Sequence, residues 1–133
     1  MAADRKTILL IDDDPFFLRV LSDVFGNFGF RVHTAHDGIE GIRSYLDHRP
    51  QVVICDLIMP RLGGVSTCRE IGRLAGAEDP VIILLTSMFK EPAHEHETPQ
   101  LGAKVHIPKS TSAIDIVIMV EQLLERKLHA AAG

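Results

Sequence analysis

Four short apolar runs, each leading into residues suited to chemistry, constrain this chain more than any other feature. Ile8-Leu9-Leu10-Ile11 runs into Asp12 and Asp13, and Val52-Val53-Ile54-Cys55 into Asp56. Val81-Ile82-Ile83-Leu84-Leu85 runs into Thr86, and Val105-His106-Ile107 closely precedes Lys109. Segments of helical period separate these runs, and such alternation is the pattern of an α/β domain with a parallel sheet. The runs at 52–55 and 81–85 are apolar throughout, as expected of central strands covered on both faces. In a parallel sheet the carboxyl ends of the strands share one edge, and sites form in the crevice there. Four strands would therefore deliver three carboxylates, one hydroxyl and one ammonium to a single cleft.

The first strand is predicted over Thr7 to Asp12. Asp14-Pro15 reads as an N-cap followed by proline at the first helical position. Phe17, Val20, Leu21, Val24 and Phe28 then recur at helical spacing until Gly29. A second strand, Arg31 to Ala35, leads through Asp37-Gly38 into a helix carrying Ile39, Ile42 and Leu46, ended by Arg49-Pro50. The third strand covers Val52 to Cys55. After Gly63-Gly64 a helix runs from Val65 to Leu74, with Val65, Cys68, Ile71 and Leu74 at helical spacing. The fourth strand covers Val81 to Leu85. Between Met88 and Leu101, Pro92 could open a helix that Pro99 would end after about two turns. The fifth strand is Lys104 to Ile107. The last helix is predicted from Ser112 to Leu128, with Ala113, Ile116, Val117, Val120, Leu124 and Leu128 as its core stripe. Ile114 and Ile118 fall outside that stripe and form a candidate contact surface, although isolated exposed apolar residues are common.

A chain of 133 residues fits one domain, with its core over about 6–127 and a tail, 129–133, expected to fray. The formal charge of −4 and the lack of a Lys/Arg cluster argue against a nucleic-acid-binding face. Cys55 and Cys68 lack metal-type spacing and read as reduced thiols of a cytoplasmic protein. No stretch approaches the ~20 apolar residues that span a bilayer, and the first residues lack the apolar core of a signal peptide. A soluble, cytoplasmic, single-domain protein is expected.

Asp12, Asp13 and Asp56 would crowd negative charge, and such a cluster normally needs a cation. Carboxylate oxygens suit Mg²⁺, which keeps waters and takes one or two protein carboxylates. A helix N-terminus explains Asp14 through the helix dipole. It does not explain Asp56, because an acid directly after four apolar strand residues costs stability unless it has a role. A carboxylate can attack phosphorus to give an aspartyl-phosphate, and phosphoryl transfer is catalysed mainly by positioning and charge neutralisation. Mg²⁺ bridging Asp56 and a phosphate oxygen, Lys109 neutralising another and Thr86 donating to a third would form such a site. Taken singly, Lys109 reads as a surface lysine and Thr86 as a β-branched strand residue. Their joint placement after the fifth and fourth strands favours a shared role at the site instead.

The ordered set Ile8 to Pro15, Ala35-His36-Asp37-Gly38, Val53 to Pro60, Gly64, Leu85-Thr86-Ser87, Gly102-Ala103 and Lys109 resembles the receiver domain of two-component response regulators. The resemblance spans about Lys6 to Lys127. It implies a flavodoxin-like, doubly wound five-stranded parallel sheet of order 2-1-3-4-5 with five flanking helices. It also implies that Asp56 is the phosphoacceptor, that Asp12, Asp13, Asp56 and the carbonyl of Ile58 hold Mg²⁺, and that Thr86, Ser87 and Lys109 contact the phosphoryl group. The implied donor is a phosphohistidine on a sensor histidine kinase or histidine phosphotransfer protein. A homodimer or an effector would use the surface of the fourth helix, fifth strand and last helix, where Ile114 and Ile118 stand.

Several positions depart from the family pattern. His106 occupies the place of an aromatic residue that turns inward when the hydroxyl corresponding to Thr86 moves to the phosphate. A buried charged His is costly, so the inward state is expected to be weaker or pH-dependent, unless His106 is a partly exposed residue with no switching role. Lys109 is followed by Ser110, not proline, and a cis bond there would cost about 3 kcal/mol. Pro92 and Pro99 should shorten the fourth helix and alter the usual dimer face. Ile58 and Met88, two residues after Asp56 and Thr86, cannot orient water, so slow self-dephosphorylation is expected. His94-Glu95-His96-Glu97 reads as solvated surface, because histidines two apart point to different sides of a helix.

Three rival functions share parts of this pattern. A haloacid-dehalogenase-like phosphatase also uses an aspartyl nucleophile and Mg²⁺, but Asp12-Asp13-Asp14-Pro15 breaks its spacing. A pseudo-receiver acting only as a docking scaffold would not need the intact acid, hydroxyl and lysine set. A flavin-binding role would want a phosphate-cradling loop after the first strand.

Overall fold

The computed structural model describes residues 6–86 and 105–132. Its strands are β1 (Thr7–Ile11), β2 (Arg31–Ala35), β3 (Val52–Asp56), β4 (Val81–Thr86) and β5 (Val105–Pro108). They form one parallel sheet in the order β2-β1-β3-β4-β5. Four α-helices flank it among the described residues: α1 (Pro15–Asn27), α2 (Gly38–His48), α3 (Gly64–Ala75) and α4 (Ala113–Ala132), with a short 3₁₀ turn at Gly76–Glu78. The expected proline-bounded helix, Ser87, Met88, His94 to Glu97, Gly102-Ala103 and the start of the fifth strand at Lys104 lie outside the described residues.

The alternation of side chains along each strand divides the core in two. On one face, Ile8, Leu10, Ile54, Ile83 and Leu85 pack with Leu21 and Phe25 of α1 and Ile116, Val117 and Val120 of α4. On the other, Leu9, Ile11, Val53, Cys55, Ile82 and Leu84 pack with Tyr45 of α2 and Cys68 and Ile71 of α3. Every residue of β3 and β4 is buried, which is why those runs carry no alternation of polarity. Cys55 and Cys68 are free and buried; the neighbouring Cys68 and burial both push the Cys55 thiol up.

The Asp14 cap forms as expected: its carboxylate accepts from the Phe16 and Phe17 amides at 3.0 and 3.4 Å. Asp37, expected only as part of the turn into the helix, also caps α2 and accepts from the Glu40 amide at 2.8 Å. Three helix faces differ from the expected ones. In α1 the buried residues are Leu18, Leu21 and Phe25, while Val20 and Phe28 are exposed. In α2 the buried residues are Gly38, Gly41 and Tyr45, while Ile39 and Leu46 are exposed. The reason lies in close packing: a Cβ on Gly41 would fall 2.5 Å from Cδ1 of Ile11, so α2 sits on β1 through a glycine. Tyr45 buries its ring there and donates its hydroxyl to Glu78 at 3.1 Å. In α4, Ile116, Val117, Val120 and Leu124 are buried but Leu128 is 68% exposed. The helix continues to Ala132, and His129 and the alanines after it offer no helix breaker.

Candidate functional site

Asp12 follows β1, Asp56 ends β3, Thr86 ends β4, and Lys109 follows β5. These positions share the carboxyl edge of the sheet because the parallel ladders are in register, with Ile11 opposite Cys55, Asp56 opposite Leu85 and Thr86 opposite Pro108. Backbone hydrogen bonds just past the ladders fasten the ends together: Asp12 N–H donates to Ala35 at 3.1 Å, Leu57 N–H to Leu85 at 2.7 Å and Lys109 N–H to Thr86 at 2.6 Å. All five residues predicted from the strand ends thus meet at one edge. Asp12, Asp56 and Thr86 are buried, whereas Asp13 is exposed and opens the cluster to solvent.

One carboxylate oxygen from each of Asp12, Asp13 and Asp56 lies within 4.8 Å of the other two. Lys109 Nζ stands 2.7 Å from Asp12 Oδ2 and 3.8 Å from Asp56 Oδ2. Asp56 Oδ1 is buried and has no hydrogen-bond partner among the described residues. A single ammonium does not neutralise three acids, so burial pushes the Asp56 carboxyl up to about 6, aided by the charge of Asp12 and opposed by Lys109. Burial also raises Asp12, despite the hydrogen bond from Lys109. Burial by itself would lower Lys109, but its hydrogen bond to Asp12 and the fields of Asp12 and Asp56 carry it above the ordinary lysine value. Three hard oxygen donors with net negative charge and an unsatisfied buried oxygen fit a divalent cation.

The loop after Asp56 is shaped by close approach. A Cβ on Gly64 would fall 2.1 Å from the carbonyl oxygen of Asp56 and 2.8 Å from Cα of Leu57. Gly64 N–H donates to the Leu57 carbonyl at 2.9 Å, closing the loop into α3. Arg61, with φ of 69°, pairs with Asp37 at the start of α2. Ile58, whose carbonyl is a predicted cation ligand, keeps its side chain 58% exposed. His106 is half-buried in β5 opposite Leu84.

One contact at the site has no counterpart in the sequence pattern. The ring of Phe17 lies against Lys109, with Nζ 4.5 Å from its centroid. The sequence places Phe17 on the inward side of α1, and its half-buried ring does pack there. Hydrophobic periodicity carries no signal for the second role, because the lysine it meets lies 92 positions later in the chain.

The raised Asp56 carboxyl has a stability consequence. An acid whose folded value exceeds its ordinary one of 3.8 destabilises the fold as it ionises, so the cost is absent below pH 4, grows to about pH 6 and persists above. Asp56→Asn is therefore expected to be more stable than wild type at pH 7 without divalent cation, by about 1–3 kcal/mol. That advantage should vanish near pH 4 and shrink on adding Mg²⁺. Urea unfolding across pH checks it; an Asn variant less stable at pH 7 and unresponsive to pH contradicts it.

Fold and site together define a doubly wound α/β domain with a carboxylate cluster and a paired lysine at its switch-point edge. Residues 8–121 match the model of the response regulator receiver domain, and the chain belongs to that family. It is 30% identical over 126 residues to the probable transcriptional regulator ycf27 of Cyanophora paradoxa, covering 95% of this chain and 51% of that protein. It is 29% identical over 120 residues to the response regulator MprA of Mycobacterium ulcerans, covering 90% of this chain and 50% of that protein. A solved response regulator receiver domain protein from Clostridium thermocellum superposes with a TM-score of 0.83 at 28% identity, covering 94% of this chain and 98% of that one. The chain spans about half the length of the curated relatives it matches. Response regulator receivers are signalling domains of two-component systems. Among the described residues no helix is long and apolar enough to cross a membrane.

Proposed function

We propose that this chain accepts a phosphoryl group on Asp56 from the phosphohistidine of a sensor histidine kinase or histidine phosphotransfer protein and signals by a change of packing. The observation that carries this reading is the Asp12–Asp13–Asp56 cluster with the Lys109 ammonium 2.7 Å from Asp12. Asp12, Asp13, Asp56 and the Ile58 carbonyl would hold Mg²⁺, which supplies charge neutralisation to a phosphoryl group and its acceptor. The Asp56 carboxyl, at about 6, is mostly ionised at neutral pH and available as nucleophile. Lys109 neutralises a phosphoryl oxygen, and Thr86 and Ser87 donate hydroxyl hydrogen bonds to the others.

In this reading the domain works in the cytoplasm as a single unit and consumes no substrate beyond its own modification. Its output is a shift in β4, β5 and the helices beside them, with Thr86 and His106 as the moving pair. Ile114 and Ile118, 55% and 44% exposed on α4, offer the surface for a homodimer or effector. The test is labelling by a small phosphodonor. Label should require Mg²⁺ and should be released by hydroxylamine, as an acyl phosphate is; label independent of divalent cation and stable to hydroxylamine would contradict the reading.

A half-buried His in the switch position gives a second expectation. Coupling between phosphoryl-mimic binding and the packing of β5 should weaken between pH 8 and 5.5, because an imidazolium is costly to bury. Equal coupling at both ends, measured by mimic titration, removes His106 from the switch.

A further inference from the structure

We infer that Phe17 is a positioning residue for Lys109, and that its ring is the partner the ammonium keeps when Asp12 is engaged by a cation. The inference deepens the reading of Asp56 as phosphoacceptor and depends on it. Among the described residues, three groups stand close to Lys109 Nζ: Asp12 Oδ2 at 2.7 Å, Asp56 Oδ2 at 3.8 Å and the Phe17 ring, centroid at 4.5 Å. The ammonium therefore leans towards a proposed metal carboxylate, away from the phosphoacceptor. A divalent cation among Asp12, Asp13 and Asp56 draws on the same acidic oxygens and repels the ammonium. Lysine is a compact charge on a flexible four-carbon stem, and losing its carboxylate partners would free it to swing out to water.

An aromatic face holds a cation through the ring quadrupole, carries no net charge and is no ligand for Mg²⁺. Its attraction for Nζ therefore survives when the acids are occupied. The contact is also desolvated, since the Lys109 side chain is only 16% exposed and Phe17 is half-buried. Phe17 is itself fixed at both ends. Its amide N–H donates to the Asp14 cap at 3.4 Å, and its side chain packs against the core cluster of α1 and α4. On the other side, the Lys109 amide is tied to Thr86 at 2.6 Å. The backbone bond holds one end of the lysine stem and the ring holds the other, which leaves Nζ beside Asp56 where a phosphoryl oxygen would arrive.

The test uses Phe17→Leu and Phe17→Tyr with two readouts. The first needs no phosphodonor: the ring current of Phe17 should shift the Lys109 ε-protons upfield in wild type and Phe17→Tyr, and the shift should persist on adding Mg²⁺. In Phe17→Leu those protons should return to ordinary lysine positions. The second is the rate of labelling by acetyl phosphate at saturating Mg²⁺, which should fall roughly 5- to 30-fold in Phe17→Leu and recover in Phe17→Tyr. Mg²⁺ affinity should not fall in either variant. Ordinary ε-proton shifts in wild type, an upfield shift lost on adding Mg²⁺, or an unchanged labelling rate in Phe17→Leu would each overturn the inference while wild type still labels. If Phe17→Leu does not fold, Phe17→Met, closer to Phe in length, takes its place, and the wild-type proton shifts need no variant. A wild-type chain that takes no label brings down the phosphoacceptor reading and this inference together.

Discussion

Replacing Lys109 with Met is expected to slow phosphorylation of Asp56 by about 10²- to 10³-fold, the usual effect of removing a preorganised group that stabilises developing charge. The same substitution should leave Mg²⁺ affinity unchanged or raised. Lys109 now spends its charge on Asp12 at 2.7 Å and Asp56 at 3.8 Å, competing with any cation for those oxygens. Without it, two buried acids lose their only ion pairs among the described residues, and a bound divalent cation would meet less competition for their oxygens. The rate should thus fall while affinity holds or rises, measured by acetyl-phosphate labelling and by Mg²⁺ titration on one preparation. A parallel fall in both would mean that Lys109 supports the fold of the cleft more than the chemistry in it.

Gly64→Ala carries the second large effect. The added Cβ meets backbone: the Asp56 carbonyl oxygen at 2.1 Å, Leu57 Cα at 2.8 Å and the Asp56 carbonyl carbon at 2.9 Å. No rotamer relieves a clash with backbone, so either α3 retreats or the segment from Asp56 to Met59 shifts. A loss of about 3 kcal/mol is expected, at the upper end of overpacking costs. Mg²⁺ affinity should fall too, because Asp56 and the Ile58 carbonyl both sit in the displaced segment. The control is Gly26→Ala, late in α1, where a Cβ meets nothing within 4 Å. That change should be neutral or stabilising by about 0.5–1 kcal/mol, since alanine loses less backbone freedom in a helix. Urea unfolding of the pair checks the account, and equal stabilities would refute it.

The sheet was legible because buried strands in a parallel α/β fold must be apolar runs of limited length, and the chain has few others. β2 spans the expected Arg31 to Ala35, and β1, β3 and β4 differ by one residue at their carboxyl ends. Two of those differences matter to the site, since Asp56 and Thr86 close their strands and do not follow them. The helix faces were less legible. Apolar periodicity marks a buried face only when side chains fill the gap between helix and sheet. In α2 the gap to the sheet is closed by Gly41 against Ile11, while Gly38 packs against Leu62 and Thr67; hydropathy registers neither, and Ile39 and Leu46 are exposed. In α1 the run from Phe16 to Phe25 offers apolar residues on more than one side, so periodicity leaves its rotation loosely defined.

The strand-end residues of the site were legible for the same reason as the sheet, because each follows or ends an apolar run. Lys109 needed the joint argument, as nothing local distinguishes it from a surface lysine. Its actual environment, Asp12 on one side and Phe17 on the other, is a long-range contact that no local pattern encodes. The raised Asp56 carboxyl is likewise a product of three-dimensional crowding, anticipated from the strand ends but fixed by burial.

The most direct measurement is intact-mass detection of phosphorylation by acetyl phosphate and Mg²⁺ on wild type and Asp56→Asn side by side. Wild type should gain one phosphoryl group and Asp56→Asn none, with the variant folded and at least as stable as wild type at pH 7. A phosphoryl group on folded Asp56→Asn, to the same extent and at the same rate as wild type, would contradict the assignment of Asp56 as the acceptor.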